Sequence, residues 1–139
     1  MGTLLFDDVM IGETLAGIDV EPISRLDLAL YCGASGDHNP IHVDIDYARA
    51  AGKPDVFAHG MLVMAHLGRA VTHWAPRAAL REFDVRFVQV TEVGDRLTCA
   101  GTVAAKFDVE GERRVRVELI VRNQEDRIKV RGIAVLALA

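Results

Sequence analysis

Two cysteines are all this 139-residue chain has, and Cys32 and Cys99 stand far apart with no CxxC pairing. Neither a disulfide framework nor a cysteine-ligated zinc site is therefore expected. Long apolar runs are missing too. The best candidate, Met61 to Leu67, is interrupted by His66 and followed by Arg69 and His73, so no membrane span is expected. The start, MGTLLFDDVMIGE, has acidic residues and no basic cluster, unlike a secretory leader. A positive surplus is also absent. The net charge of −4 argues against a general nucleic-acid binder. No internal repeat or low-complexity linker divides the chain. Half of its residues are hydrophobic, enough for the core of a single domain over 1–139. A reduced, cytoplasmic setting is the expectation.

The charge is unevenly spread. Residues 1–76 hold 4 basic and 10 acidic residues, a balance of −6, and residues 77–139 hold 12 and 10, a balance of +2. The C-terminal excess reads either as solvated strand faces or as a surface that meets phosphates or an acidic carrier. On the second reading Arg86, Arg114, Arg116, Lys129 and Arg131 are the candidates, since strand alternation sets them opposite the apolar positions.

Two periodicities divide the chain. A strand-like piece spans Thr3 to Phe6, and Ile18 and Val20 alternate with Asp19 and Glu21 as a second strand, which Pro22 restricts to an edge or an end. Ser24 with Asp27 three residues on reads as a helix N-cap, and the helix should end near Gly33 to Gly36. A short helical turn is expected from Asp46 to Ala51. Gly60 to Trp74 reads as a helix apolar on most sides, which predicts a buried central helix ended by Pro76. After Pro76 the period becomes two. Phe83, Val85 and Phe87 form one strand. Leu97, Cys99, Val103, Ala105 and Phe107 share one parity in the next, Val115 to Val121 alternate cleanly, and Ile128 to Leu138 complete a fourth. Turn signals separate them. The predicted class is α+β: a curved antiparallel sheet wrapped around one long helix.

The chemistry concentrates in YCGASGDHNPIHVDIDYA, residues 31–48. Asp37 and His42 lie five positions apart in a segment full of breakers, and together they can hold one water between a carboxylate and an imidazole. Histidine titrates near neutral pH, which suits a general base or acid. His59-Gly60-Met61 opens the apolar helix, whose first free N–H groups can polarise a carbonyl. Asn39 is expected to fix the turn or bind the water, and His59 to support the site. Each residue has a plainer alternative. Asp37-x-Asn39-Pro40 alone is a good turn sequence, because Asp and Asn side chains bond to nearby backbone. His59, His66 and His73 are spaced by seven, about 10 Å along a helix, too far apart for one ion. No metal and no cofactor are expected.

These residues resemble the MaoC-like (R)-specific enoyl-thioester hydratase/dehydratase family. Its signature matches Tyr31, Ala34, Ser35, Gly36, Asp37, Asn39, Pro40, Ile41, His42 and Ala48, with His59 to Leu62 as the downstream His-Gly-Met-Leu. Within the family, YxGxSGDxNPIH, AHGML and Val85-Arg86-Phe87 are most similar to the carrier-protein dehydratases of mycobacterial type II fatty-acid synthesis. The resemblance implies a hotdog fold and reversible removal of water from (R)-3-hydroxyacyl thioesters. It assigns catalysis to Asp37 and His42, and the thioester oxygen to the Gly60 N–H. An acyl-CoA or acyl-carrier-protein substrate is implied, with carrier-linked elongation favoured, as is a homodimer or a heterodimer with another hotdog subunit. Some members carry a Ser eight positions after the helix-opening Gly, where this chain has Gly68. Competing readings are a CoA-linked enoyl hydratase and a non-catalytic hotdog subunit that holds the acyl chain. A thioesterase on the same fold is disfavoured by GDxNPxH.

Overall fold

The computed structural model describes residues 4–139. Five strands form one sheet: β1 (Ile18–Val20), β2 (Leu80–Phe87), β3 (Leu97–Val109), β4 (Glu112–Arg122) and β5 (Ile128–Ala137). Their order is β1-β3-β4-β5-β2, and every pair is antiparallel. Three helices accompany the sheet: α1 (Arg25–Ser35), α2 (Ile45–Ala50) and α3 (Gly60–Trp74). The expected α+β sheet around a long helix is present. Thr3 of the predicted first strand lies outside the described residues, and Phe6 belongs to a 3-10 turn, Phe6–Asp8, rather than to a strand.

The α1 boundaries follow local chemistry. The Ser24 hydroxyl accepts from Asp27 N–H while the Asp27 carboxylate accepts from Ser24 N–H, a complete capping box. At the other end Gly36 takes φ +76 and its N–H closes on Cys32 C=O, a left-handed cap that favours glycine. This turn releases the chain straight into Asp37.

The core lies between α3 and the inner sheet face. Val63, Leu67, Ala70 and Val71 of α3 are buried with Leu97, Cys99 and Val103 of β3, Val115 to Val121 on alternate positions of β4, and Val130, Ala134 and Leu136 of β5. α3 is the central helix expected from Gly60 to Trp74. One stripe is buried, while Met61 is 57% exposed and Ala65 faces outward. A five-stranded sheet covers only one side of a helix, and the other side is left to whatever else packs there.

A second correction concerns β3. Val103 pairs with Val117 and Ala105 with Arg116, so Ala104 is an extra residue, a β-bulge. The bulge flips the parity after Val103. Phe107 now sits opposite Arg114, and Lys106 sits opposite the buried Val115. The Lys106 ammonium donates to the carbonyls of Phe6 and Val9, both at 2.7 Å, which straps the N-terminal segment to the sheet.

Candidate active site

Four pieces of chain meet at one end of α3: the end of α1, the Asp37–His42 loop, the Phe57–His59 strap and the first turn of α3. The loop is built from short polar side chains bonding to nearby backbone. The Ser35 hydroxyl donates to Tyr31 C=O and accepts from Asp37 N–H. Asp37 Oδ1 accepts from Asn39 N–H, and Asn39 Oδ1 accepts from Ile41 N–H. Pro40 then starts a 3-10 turn, Pro40–His42, whose last residue is buried. Asn39 is therefore the turn former that its type suggested, and the Ser35 hydroxyl is committed to the loop.

His42 is oriented from outside its own segment. Its Nδ1 lies 2.7 Å from the carbonyl oxygen of Phe57. A carbonyl only accepts, so Nδ1 carries the proton and Nε2 keeps the basic lone pair. Phe57 is itself held, since it bridges to Glu92, and Ala58 N–H donates to Thr91 C=O. The Phe57 carbonyl has no sequence signal, because any residue supplies one. It fixes the tautomer of the candidate base.

Asp37 is exposed and His42 is 8% exposed. Asp37, His42 and His59 each bring a ligand-type atom within 4.8 Å of the others. One water with hydrogen bonds of about 2.8 Å to each side bridges such a gap. The His42 and His59 rings stack at 3.8 Å between centroids, 24° from parallel. His59 is 1% exposed and is the N-cap of α3, not a member of a helical face with His66 and His73. Burial, and next the His42 ring, hold the His59 pKa below the usual imidazole value, against the opposing pull of Asp37. Both influences disfavour a charged His59 ring beside the base. His66 is half-buried with Nδ1 3.2 Å from an Arg69 nitrogen, and His73 is exposed.

Gly60 opens α3 one residue after His59, and no group among the described residues accepts from its N–H. That N–H belongs to the electropositive end of a 15-residue helix. A side chain here would collide, because a Cβ would stand 3.0 Å from the Phe87 ring. Beside Gly60 opens a cavity of about 360 Å³ lined by Phe57, Val63, Phe87, Val90 and Val130. An apolar chain fits this lining. At Gly68 the ring of Phe83 would lie 3.3 Å from a Cβ, so a phenyl edge packs where a serine would otherwise project.

Two of the five proposed phosphate ligands are already engaged. Lys129 is buried, with Nζ 3.0 Å from Asp95 and donating to Val90 C=O. Arg114 is paired with Glu112 and Glu110. Arg86 and Arg131 are exposed and stand opposite each other in the β2–β5 register, and Arg116 is exposed on β4.

This arrangement, a carboxylate and a tautomer-fixed imidazole in front of a helix start with an apolar cavity beside it, is that of a protein that adds water next to a carbonyl or removes it. Residues 8–125 match the family model described as MaoC like domain, and the chain belongs to that family. An (R)-specific enoyl-CoA hydratase of Rhodospirillum rubrum is 31% identical over 136 residues, covering 81% of this chain and 90% of the relative. The solved R-hydratase PhaJ1 of Pseudomonas aeruginosa, unliganded, superposes with a TM-score of 0.85 at 29% identity, covering 98% of this chain and 86% of that one. A fatty acid synthase subunit beta of Aspergillus oryzae is 42% identical over 77 residues, 52% of this chain, but the chain spans only 4% of that protein. Among the described residues, no helix is long and apolar enough to cross a membrane.

Proposed function

We propose that the chain catalyses the reversible dehydration of (R)-3-hydroxyacyl thioesters to trans-2-enoyl thioesters. One observation carries the reading. The Asp37 carboxylate and the His42 ring lie within one water's span of each other, and the Phe57 carbonyl leaves Nε2 of His42 as the base. In the dehydration direction Nε2 removes the proton from C2 of the substrate. The electron pair moves toward the thioester oxygen, where the Gly60 N–H stabilises the enolate-like charge. The C2–C3 double bond forms as the C3 hydroxyl leaves, taking the proton back from His42 and departing as water. Asp37 accepts a hydrogen bond from that hydroxyl and orients it. Hydration runs the same steps in reverse.

The near-full-length likeness to an (R)-specific enoyl-CoA hydratase supports a CoA thioester as the substrate form, with a carrier-protein thioester as the alternative. The cavity beside Gly60 would take the acyl chain. A paired assembly belongs to the proposal. β2 is an edge strand, and Phe87, Val88, Val90 and Met61 on that side are 41–57% exposed, a long apolar edge that a second hotdog chain, identical or different, would cover. The two unpaired cysteines, Cys32 and Cys99, support a cytoplasmic setting.

The test is hydration of crotonyl-CoA and longer enoyl-CoA or enoyl-carrier substrates, with the product resolved as (R) or (S). Asp37→Asn and His42→Ala are each expected to lower kcat by about 10²–10⁴-fold with an unchanged circular dichroism spectrum. Parental turnover in either variant removes that residue from the mechanism. Sedimentation of the active species as a monomer would remove the pairing.

A further inference from the structure

His59 belongs to neither the water-binding pair nor the body of α3, yet it touches all three parts of the site. Its ring stacks on His42 at 3.8 Å and meets Tyr31 edge-on at 4.8 Å. Its Nε2 stands 3.3 Å from the Asp37 carbonyl oxygen and 3.4 Å from Cys32 Sγ. Its Nδ1 is buried and has no partner among the described residues.

One tautomer fits these contacts. With the proton on Nε2, the ring donates to the Asp37 carbonyl, touches the soft Cys32 sulfur, and leaves only a lone pair unsatisfied. With the proton on Nδ1, Nε2 could accept only from the weak Cys32 S–H while its lone pair faced the Asp37 carbonyl oxygen, and a buried N–H would lack an acceptor, which is the poorer arrangement. An apolar ring would fill the same space with no orphaned atom. The imidazole differs from such a ring here in its bond to the Asp37 backbone. His42, with its proton on Nδ1, and His59, with its proton on Nε2, are stacked in opposite tautomers.

We infer that His59 is a positioning residue. Its stack sets the plane of the His42 ring, its Nε2–H anchors the backbone of Asp37, and its own peptide leads into Gly60. One side chain thus sets the base, the carboxylate and the oxyanion donor relative to one another. The inference rests on the hydratase reading of this site.

Three variants separate the two contacts. His59→Phe keeps a stacked ring without a donor, His59→Gln keeps a donor without a ring, and His59→Leu keeps neither. A small misplacement of a reacting group costs on the order of 10²-fold. Phe and Gln are each expected to lower kcat by about that much with KM nearly unchanged, and Leu to lower it further. A Phe variant with parental kcat would reduce His59 to a space-filler and overturn the inference. If the Phe variant does not fold, Gln against Leu decides: a faster Gln variant supports the hydrogen bond, and equal rates overturn it. Should the parent hydrate no enoyl thioester at all, the functional reading fails separately. The positioning claim is then read from nuclear Overhauser contacts between the ring protons of His42 and the Phe57 ring, which it meets edge-on at 5.2 Å; their pattern is expected to be fixed in the parent and averaged in the Leu variant. An unchanged pattern in Leu would overturn the claim.

Discussion

Replacing Gly60 with Ala adds one methyl group at the point where the site should hold the thioester oxygen. That methyl would stand 3.0–3.1 Å from three atoms of the Phe87 ring, well inside the about 3.5–4.0 Å of a comfortable carbon contact. Something must move. Phe87 is the last residue of β2 and 49% exposed, so its ring and the first turn of α3 can share a shift of a few tenths of an ångström at little cost. Overpacking in a closed core costs about 1–3 kcal/mol. Here the cost falls toward the lower end, and Ala recovers part of it through up to about 1 kcal/mol of helix preference over Gly. Stability should therefore change by less than about 1 kcal/mol. Activity should not survive as well. Loss of an oxyanion donor costs about 10²–10³-fold in kcat, or about 2.7–4 kcal/mol of barrier, and tilting the first turn by a few tenths of an ångström forfeits much of that. The assay is loss of the enoyl-thioester ultraviolet absorbance on hydration, run beside urea denaturation of the same preparation. The expected result is a kcat lower by about 10²-fold with an almost unmoved denaturation midpoint. In Gly60→Ala/Phe87→Ala the methyl has room, and part of the rate should return. Parental kcat in Gly60→Ala would refute the placement of the thioester oxygen at this N–H.

Four further outcomes follow from the surrounding structure. Lys129 and Asp95 form a buried pair at 3.0 Å, and removing one partner strands the other, so Lys129→Met should cost about 3–5 kcal/mol in urea denaturation; an unchanged midpoint would mean that the pair is solvated. Burial works to raise the Asp95 pKa, but bonds from Asn123, Glu92 N–H and Lys129 outweigh it and leave the group below the usual carboxylate value. Its contribution to stability is thus complete above the unfolded value of about 3.9 and is lost as pH falls from there through the depressed folded value; a parent whose acid unfolding coincides with that of Asp95→Asn would contradict this. Burial pushes the Cys99 thiol up to about 12, so iodoacetamide at mildly alkaline pH should leave Cys99 unmodified in the native protein, and rapid labelling located by mass spectrometry would count against its burial. Charge reversal at Arg86 and Arg131, the exposed cross-strand pair, should raise KM for a CoA thioester more than it lowers kcat, and less so at high salt; no change at low salt would leave these arginines as ordinary surface charge.

Much of this molecule is written in local pattern. Ser24 and Asp27 cap α1 because both partners lie within one turn. The alternation of Val115 to Val121 places β4 without reference to anything else, and the turn residues around Gly111 and Asn123 make β3, β4 and β5 antiparallel neighbours, whereas β2 is no neighbour of β3 and pairs with β5 instead. Asp37, Asn39 and His42 lie so close together that their neighbourhood follows from chain connectivity, and Gly60 at the start of an apolar run is a helix N-terminus by sequence alone. Other features depend on segments distant in sequence. The bulge at Ala104 adds one residue to a regular-looking strand, and only the pairing of β3 with β4 defines it. It carried Lys106 to the inner parity and Phe107 away from it. Lys129 looked like a solvated strand residue until the fold brought Asp95 and the Val90 carbonyl beside it. The partial exposure of α3 follows from the sheet's width, which no helical period reports. At the site, the composition of residues 31–48 specified a carboxylate and an imidazole. The proton position on that imidazole was decided by a backbone carbonyl at Phe57, and its ring plane by a histidine 17 residues further on. Side-chain type can be read along the chain, whereas tautomer, ring orientation and burial depend on what the tertiary structure places in contact.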